Sequence, residues 1–280
     1  MGCYFLNELL EYKKVASLLL GNLLYTDNRK LVGFHIKAIN KPGALADIAS
    51  VFKEYEVNIW TIVFSSRVKA GEKASITVMA DLTGTKVSPE ELISKLMKLD
   101  KVAHVDIIHP QMPMVLTDTY HFPIIDDKGL RYILISESGM KAIVVDFMKK
   151  FGSSTAQAFL FYQGYIIGES FGVHLKNIGI KDLKNALKAL MLFSTALGRY
   201  RGEIVSFYYS VDGEIKVILN VYDNWECSIA KKHGIKGPAS HYERGKIAGL
   251  IHYFTGKDVK VVETECIAKG DAYCRFIVVL

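Results

Sequence analysis

From residue 30 to residue 110 the hydrophobic pattern runs strand, helix, strand, strand, helix, strand, and this order constrains the fold more than any other feature of the chain. Residues 31–38 alternate in the manner of a strand, and the run Asn40-Lys41-Pro42-Gly43-Ala44-Leu45 ends the alternation. Helical spacing then carries through Ala46, Ile48, Ala49, Phe52 and Tyr55. Val57-Asn58-Ile59-Trp60 opens a second strand that continues to Phe64, and residues 75–81 form a third. Ser88-Pro89-Glu90-Glu91 is a helix start: a capping serine, proline at the first helical position and acids in the first turn. That helix is expected to end near Leu99, with a fourth strand over 102–108.

The turn after the first strand has a chemistry of its own. Gly43 lets the backbone approach a ligand closely, and the helix beginning near Ala44 offers free N–H groups to a carboxylate. The element order, this loop and the pair Asn58-Ile59 resemble the ACT domain, a ferredoxin-like βαββαβ regulatory module, over residues 29–110. The resemblance implies an amino acid bound by Asn40, Gly43, Ala44, Leu45, Asn58 and Ile59, across a subunit boundary. The family more often has Asp where Asn40 stands, so this chain keeps the turn-making amide and drops a charge.

The C-terminal part reads as a second α/β domain with an antiparallel sheet against helices, making the whole chain α+β. Met112-Pro113 looks like a hinge within a linker of residues 111–118. Strands 120–125 and 130–135 flank the turn Asp126-Asp127-Lys128-Gly129, and helices follow over roughly 141–151, 156–175 and 181–200. Strands 203–209 and 214–221 pair across Val211-Asp212-Gly213, residues 243–254 read helical, and 259–263 with 273–280 complete a sheet. Gly164-Tyr-Ile-Ile-Gly168 lacks a dinucleotide glycine pattern and reads as close helix packing.

The chain ends on Glu263-x-x-Cys266-(seven residues)-Cys274-Arg-Phe. With Gly129-Leu-Arg131, Phe161-Tyr-Gln-Gly164 and Asp223-Asn-Trp-Glu226 in the same order, this ending resembles the 4-vinyl-reductase domain over residues 119–280. In its aromatic-sensing members a structural zinc is held by three Cys and one Glu beside an apolar ligand cavity. Carried over by position, Glu263, Cys266 and Cys274 are zinc ligands, while Ser240 stands where the third cysteine should be. A serine hydroxyl is a poor zinc ligand beside thiolates, which leaves His241, Cys227 and His233 as candidate substitutes. The competing reading is a pair of buried thiols, or a reducible disulfide, bracketing a turn. The same resemblance implies a hydrophobic or aromatic ligand, for which Tyr162, Trp225 and His241 are candidate polar contacts.

Composition narrows the function. At 280 residues the chain suits two cores. Its 35 basic and 29 acidic residues are interspersed, so the net charge of +6 describes a solvated surface; nucleic-acid binding is not expected. Four cysteines at this length do not make a secreted disulfide framework. Residues 4–25 read as an amphipathic helix through Phe5, Leu9, Tyr12, Ala16, Leu19, Leu20 and Leu23, giving an N-terminal segment of residues 1–28. Glu8, Glu11, Lys13 and Lys14 in it exclude a signal peptide or a membrane span, so a cytoplasmic protein is expected. There is no P-loop or H-E-x-x-H motif. The expectation is a non-enzymatic, homodimeric ligand sensor whose output is a partner protein or the dimer's own geometry. The alternatives are a reductase-related enzyme of tetrapyrrole type and a ligand-free adaptor.

Overall fold

The computed structural model describes residues 16–65, 68–210 and 212–280. These fall into two compact units, one ending at Leu134 and one running from Ile135 to Leu280.

The first unit is built on β2 (Leu31–Ile39), α1 (Ala44–Glu54), β3 (Asn58–Phe64), β4 (Lys73–Asp81), α2 (Pro89–Leu96) and β5 (Val102–Ile108). The strands form an antiparallel sheet in the order β3-β4-β2-β5, which is the ferredoxin-like arrangement. Alternation along β2 sends Val32, Phe34, Ile36 and Ala38 to one face, where Ile48, Val51 and Phe52 of α1 and Leu92 and Leu96 of α2 cover them. Ser88 caps α2 as the sequence predicts, its hydroxyl accepting the Glu91 N–H at 3.1 Å.

The other face of this sheet is covered too, and here the structure departs from expectation. Residues 16–22 are not helical, and β1 (Leu23–Tyr25) pairs antiparallel with β6 (Val115–Thr117). The rest of the predicted N-terminal helix, residues 4–15, lies outside the described residues. Leu24 and Leu116 pack with Leu31, Met79 and Ile108, whereas Leu19, Leu20 and Leu23 of the expected helical stripe are exposed. Gly21-Asn22 interrupts helical propensity there, and the strand's partner comes from the segment read as a linker. The short hairpin of β7 (Ile124–Ile125) and β8 (Arg131–Tyr132) likewise falls within this first unit, so the boundary lies at Leu134 and not at 111–118.

In the second unit, a helix of Glu137–Lys141 (α3) runs through a π-turn at Ala142–Asp146 into α4 (Phe147–Phe151), where the pattern predicts one helix. α5 (Ser153–Asn177) and α6 (Leu183–Ala196) follow. β9 (Arg201–Tyr209), β10 (Ile215–Tyr222), β11 (Lys260–Glu265) and β12 (Cys274–Val279) form an antiparallel sheet ordered β11-β12-β10-β9. Between β10 and β11 lie α7 (Trp225–Lys232), absent from the sequence prediction, and α8 (His241–Thr255). Inward residues of the sheet, Ile215, Val217, Leu219, Phe276 and Val278, form one core with Leu187 and Leu190 of α6 and Ile247 and Ile251 of α8.

α5 and α8 touch backbone to backbone. A Cβ placed on Gly164 would lie 2.0 Å from the Tyr242 carbonyl oxygen, and one on Gly168 would lie 2.2 Å from that of Lys246. Reciprocally, Gly245 and Gly249 would meet the carbonyls of Phe161 and Tyr165 at 1.9 and 2.0 Å. Two glycines spaced by four on each helix let the axes approach closer than any side chain permits, which is the close packing the Gly164–Gly168 spacing suggests.

Candidate functional site

Cys227, Glu263, Cys266 and Cys274 converge in the second unit, with one ligand atom from each lying within 4.8 Å of all the others. All four are buried. Glu263 sits on β11, Cys266 follows that strand, and Cys274 opens β12. The turn between the strands is tied by the Cys266 N–H donating to Asp271 Oδ2 at 2.7 Å and by Gly270 in the left-handed region (φ 112°). Cys227 arrives from α7, its Sγ 3.3 Å from Cys266 Sγ and 3.5 Å from Glu263 Oε1. A tetrahedral zinc with bonds of about 2.3 Å to sulfur has ligand–ligand edges of about 3.8 Å. The donor set and its spacing therefore fit a four-coordinate metal.

Ser240 holds one of these ligands instead of serving as one. Its N–H and hydroxyl donate to Glu263 Oε2 at 3.1 Å and Oε1 at 2.7 Å, and its hydroxyl lies 3.0 Å from Cys227 Sγ. Burial raises the Glu263 carboxyl, partly offset by the Ser240 bonds. The thiols share a proton network. Hydrogen bonds from Cys227 and Cys274 favour the Cys266 thiolate, and the same contact with Cys266 raises Cys227. A bound cation would override this order and deprotonate the thiols it touches.

The Asp223-Asn-Trp-Glu226 motif anchors α8. The Asn224 amide donates to Ser240 Oγ at 2.7 Å while its Oδ1 caps α7 at the Glu226 N–H. Trp225 Nε1 donates to Glu243 Oε1 at 2.9 Å. The fully buried Glu226 carboxyl accepts the N–H groups of Tyr242 and Glu243 at 2.9 and 3.0 Å, and burial followed by the nearby Glu243 charge raises its pKa well above the usual range. Of the predicted ligand contacts, Trp225 is thus engaged within the protein. His241 is buried, with Nδ1 2.8 Å from the Arg244 guanidinium, and burial pushes its pKa down to about 4. Tyr162 lies on the outer side of α5, 65% exposed. The three do not assemble as polar handles of one cavity.

In the first unit the loop after β2 does wall a pocket of about 740 Å³, lined by Asn40, Gly43, Ala44 and Leu45 together with Ile62 and Val68. Gly43 adopts φ 84°, and no side chain caps the N-terminus of α1. Asn40 closes the loop, its amide donating to the Val68 carbonyl at 3.0 Å. Asn58 and Ile59 lie elsewhere: Asn58 pairs with Asp81 across the sheet, and Ile59 packs on the helix-covered core.

Residues 218–280 match the family model of the 4-vinyl-reductase domain. That stretch contains Cys227, Glu263, Cys266 and Cys274. Among proteins of Methanocaldococcus jannaschii, the uncharacterized protein MJ0745 is 31% identical over 136 residues, covering 49% of this chain and 64% of that protein. The uncharacterized protein MJ1642 is 30% identical over 112 residues, covering 40% of this chain and 60% of that protein. The chain thus spans less than two thirds of either relative. Among solved structures, the phenol-responsive sensory domain of the transcription activator PoxR, with phenol, is 17% identical. It covers 56% of this chain and 83% of that one, with a TM-score of 0.51, a likeness of fold. The ACT domain from the GTP pyrophosphokinase of Chlorobium tepidum is 26% identical over 29% of this chain and 100% of that one, with a TM-score of 0.24. Among the described residues, no helix is long and apolar enough to cross a membrane.

The sequence points to Glu263, Cys266 and Cys274 and leaves the fourth ligand open among Cys227, His233 and His241. A signal for Cys227 was present: Asn224 as a cap, Glu226 in the first turn, Lys231-Lys232 in the last and Gly234 beyond mark a short helix that carries this cysteine.

Proposed function

We propose that this chain is a regulatory ligand-sensing protein with an amino-acid site in its ferredoxin-like unit and a zinc-braced second unit of the 4-vinyl-reductase type. The observation that carries the first part is the pocket at the Asn40-to-Leu45 loop. Its floor is apolar, its rim includes a glycine with positive φ, and the uncapped N-terminus of α1 offers N–H groups to an amino acid's carboxylate. The loop half of the site that the resemblance to the ACT domain implies is thus present in this pocket, without Asn58 and Ile59.

In the second unit, three thiols and a carboxylate favour zinc over magnesium or calcium. Cys227 takes the place that Ser240 vacates. The zinc would clamp α7 to the β11–β12 turn, a bracing role, since all four positions are taken by protein. A fold shared with a phenol-responsive sensory domain supports a hydrophobic or aromatic ligand for this unit. We read the protein as a cytoplasmic homodimer that acts through a partner and catalyses no reaction of its own.

Titration calorimetry of the whole protein with the twenty amino acids tests the first site. Saturable heat with one or a few of them, abolished by Gly43→Val in protein that circular dichroism shows still folded, is the expected result; the φ of 84° costs that variant some stability. No heat with any amino acid overturns the amino-acid reading. Light scattering that finds a monomer at micromolar concentration overturns the dimer.

A further inference from the structure

The outer face of α5, in the second unit, stands open to solvent for about five turns. Opposite the glycines that meet α8, Thr155, Phe159, Tyr162, Ile166, Ser170 and Val173 recur at three- and four-residue spacing, and all six are exposed. Tyr162 is 65% exposed and Ile166 61%. Between Ser153 and Leu175 the only Asp, Glu, Lys or Arg is Glu169, and it turns to α8, its Oε1 2.9 Å from Nδ1 of His252. In a chain that is 23% charged, an exposed stripe with aromatic and aliphatic residues and no free charge has the make-up of an interface core. At one end of the stripe the Phe159 ring stacks on Phe147 at 4.9 Å, and Phe151 packs on Phe147 at 4.6 Å, so the bulkiest part is held in place.

The exposed parts of Phe159, Tyr162, Ile166, Ile167 and Val173 offer on the order of 500 Å² of apolar area, which with the polar residues between them approaches the roughly 800 Å² that each partner brings to a stable interface. The order of sizes along the stripe says which partner fits. Positions equally spaced about Ile166 match large with small, Phe159 with Val173 and Tyr162 with Ser170. A second α5 laid nearly antiparallel, with a two-fold axis at Ile166, sets Phe159 against the partner's Val173 and Tyr162 against the partner's Ser170. A parallel copy would set bulk against bulk and Lys176 against the partner's Lys176. The antiparallel copy opposes the helix dipoles and keeps the two Lys176 ammonium groups about 30 Å apart.

We propose that the outer face of α5 is the homodimer interface, closed by the same face of a second copy running antiparallel about Ile166. This rests on the homodimer reading given above and assigns it a surface.

Sedimentation velocity of the full-length protein, from nanomolar to micromolar concentration, separates the two. Ile166→Glu sets two carboxylates face to face on the axis and should weaken the dimer at least about a hundredfold, with the circular dichroism spectrum unchanged. Tyr162→Lys and Ser170→Glu should each weaken it about tenfold by burying an unpaired charge, and either serves if Ile166→Glu does not fold. Both together in one chain should restore the dimer, because each introduced lysine then meets the introduced glutamate of the other copy, whereas parallel helices would set like charges together. A wild type that is monomeric at micromolar concentration overturns the homodimer reading and this interface with it. A dimer untouched by Ile166→Glu overturns the interface alone. A double variant weaker than either single one overturns the antiparallel register.

Discussion

Cys227 Sγ lies 3.0 Å from Ser240 Oγ, so the thiol reaches the buried cluster from α7, next to the position where the sequence resemblance expects a cysteine. The hydroxyl at that position bonds Glu263 and holds the carboxylate in place. The donor count of the cluster is thereby kept while one donor changes its point of origin.

The consequence is a rescue experiment. Cys227→Ser should reduce zinc, measured by mass spectrometry of protein purified without added metal, from about one per chain to near zero, because a hydroxyl replaces a thiolate. Adding Ser240→Cys to that variant should restore it, since the new Sγ would stand within the same cluster. If wild type and both variants are free of metal, the cluster is a set of structural thiols.

Asn40→Asp brings the loop closer to the sequence usual in ACT domains, yet it should not help here. The Asn40 amide donates to the Val68 carbonyl, and a carboxylate would face that oxygen with no proton to give. A loss of about 1 kcal/mol in urea unfolding is expected, with weaker amino-acid binding in calorimetry as the loop loosens.

Gly168→Ala should destabilise the second unit by about 3 kcal/mol or more. The added methyl would meet the Lys246 carbonyl oxygen and the Leu250 N at 2.2 and 2.8 Å, and backbone cannot rotate aside as a side chain can. Gly179→Ala offers a contrast: no atom lies within 4 Å of the added carbon there, so its cost comes only from the positive φ of 99°. Guanidinium unfolding of the two variants should separate clash from backbone strain.

The Asp118–His121 pair should give the first unit a pH window. His121 is raised above 6.5, chiefly by its bond to Asp118, so its stabilisation is complete below about 6.5 and fades as pH rises through the folded value. Asp118 is lowered below 3.8; burial opposes this and the bonds to His121 and the Tyr120 N–H outweigh it. Its stabilisation is present above about 3.8 and is lost as pH falls through the folded value. The stability difference between wild type and His121→Ala, read by chemical unfolding, should therefore be largest near pH 5, at about 1–3 kcal/mol, and shrink toward pH 9. A difference independent of pH would show that the pair contributes packing alone.

By itself the sequence determined the elements whose signals are local. The period changes from 31 to 108 placed the ferredoxin-like sheet and its two helices, and the Ser88-Pro89 start and the spacing of Gly164 and Gly168 were read for what they are. Glu263, Cys266 and Cys274 were legible as a set through the resemblance of the chain's ending to the 4-vinyl-reductase domain, and one tight turn brings them together. Tertiary structure decided whatever depended on a distant partner. Leu23–Tyr25 is a strand because residues 115–117 pair with it, although Leu23 continues the helical spacing of Ala16, Leu19 and Leu20. Cys227 completes the cluster because Asn224, Trp225 and Glu226 bind α7 to the start of α8, and those bonds cross at least sixteen residues of sequence. Asn22 lies beside the turn that carries His121 because the hydrogen bond from Asp118 to the Asn22 carbonyl joins the two ends of the first unit. Local propensity is fixed by neighbours within a turn or two, whereas pairing and burial are fixed by segments that meet only when the chain has closed on itself.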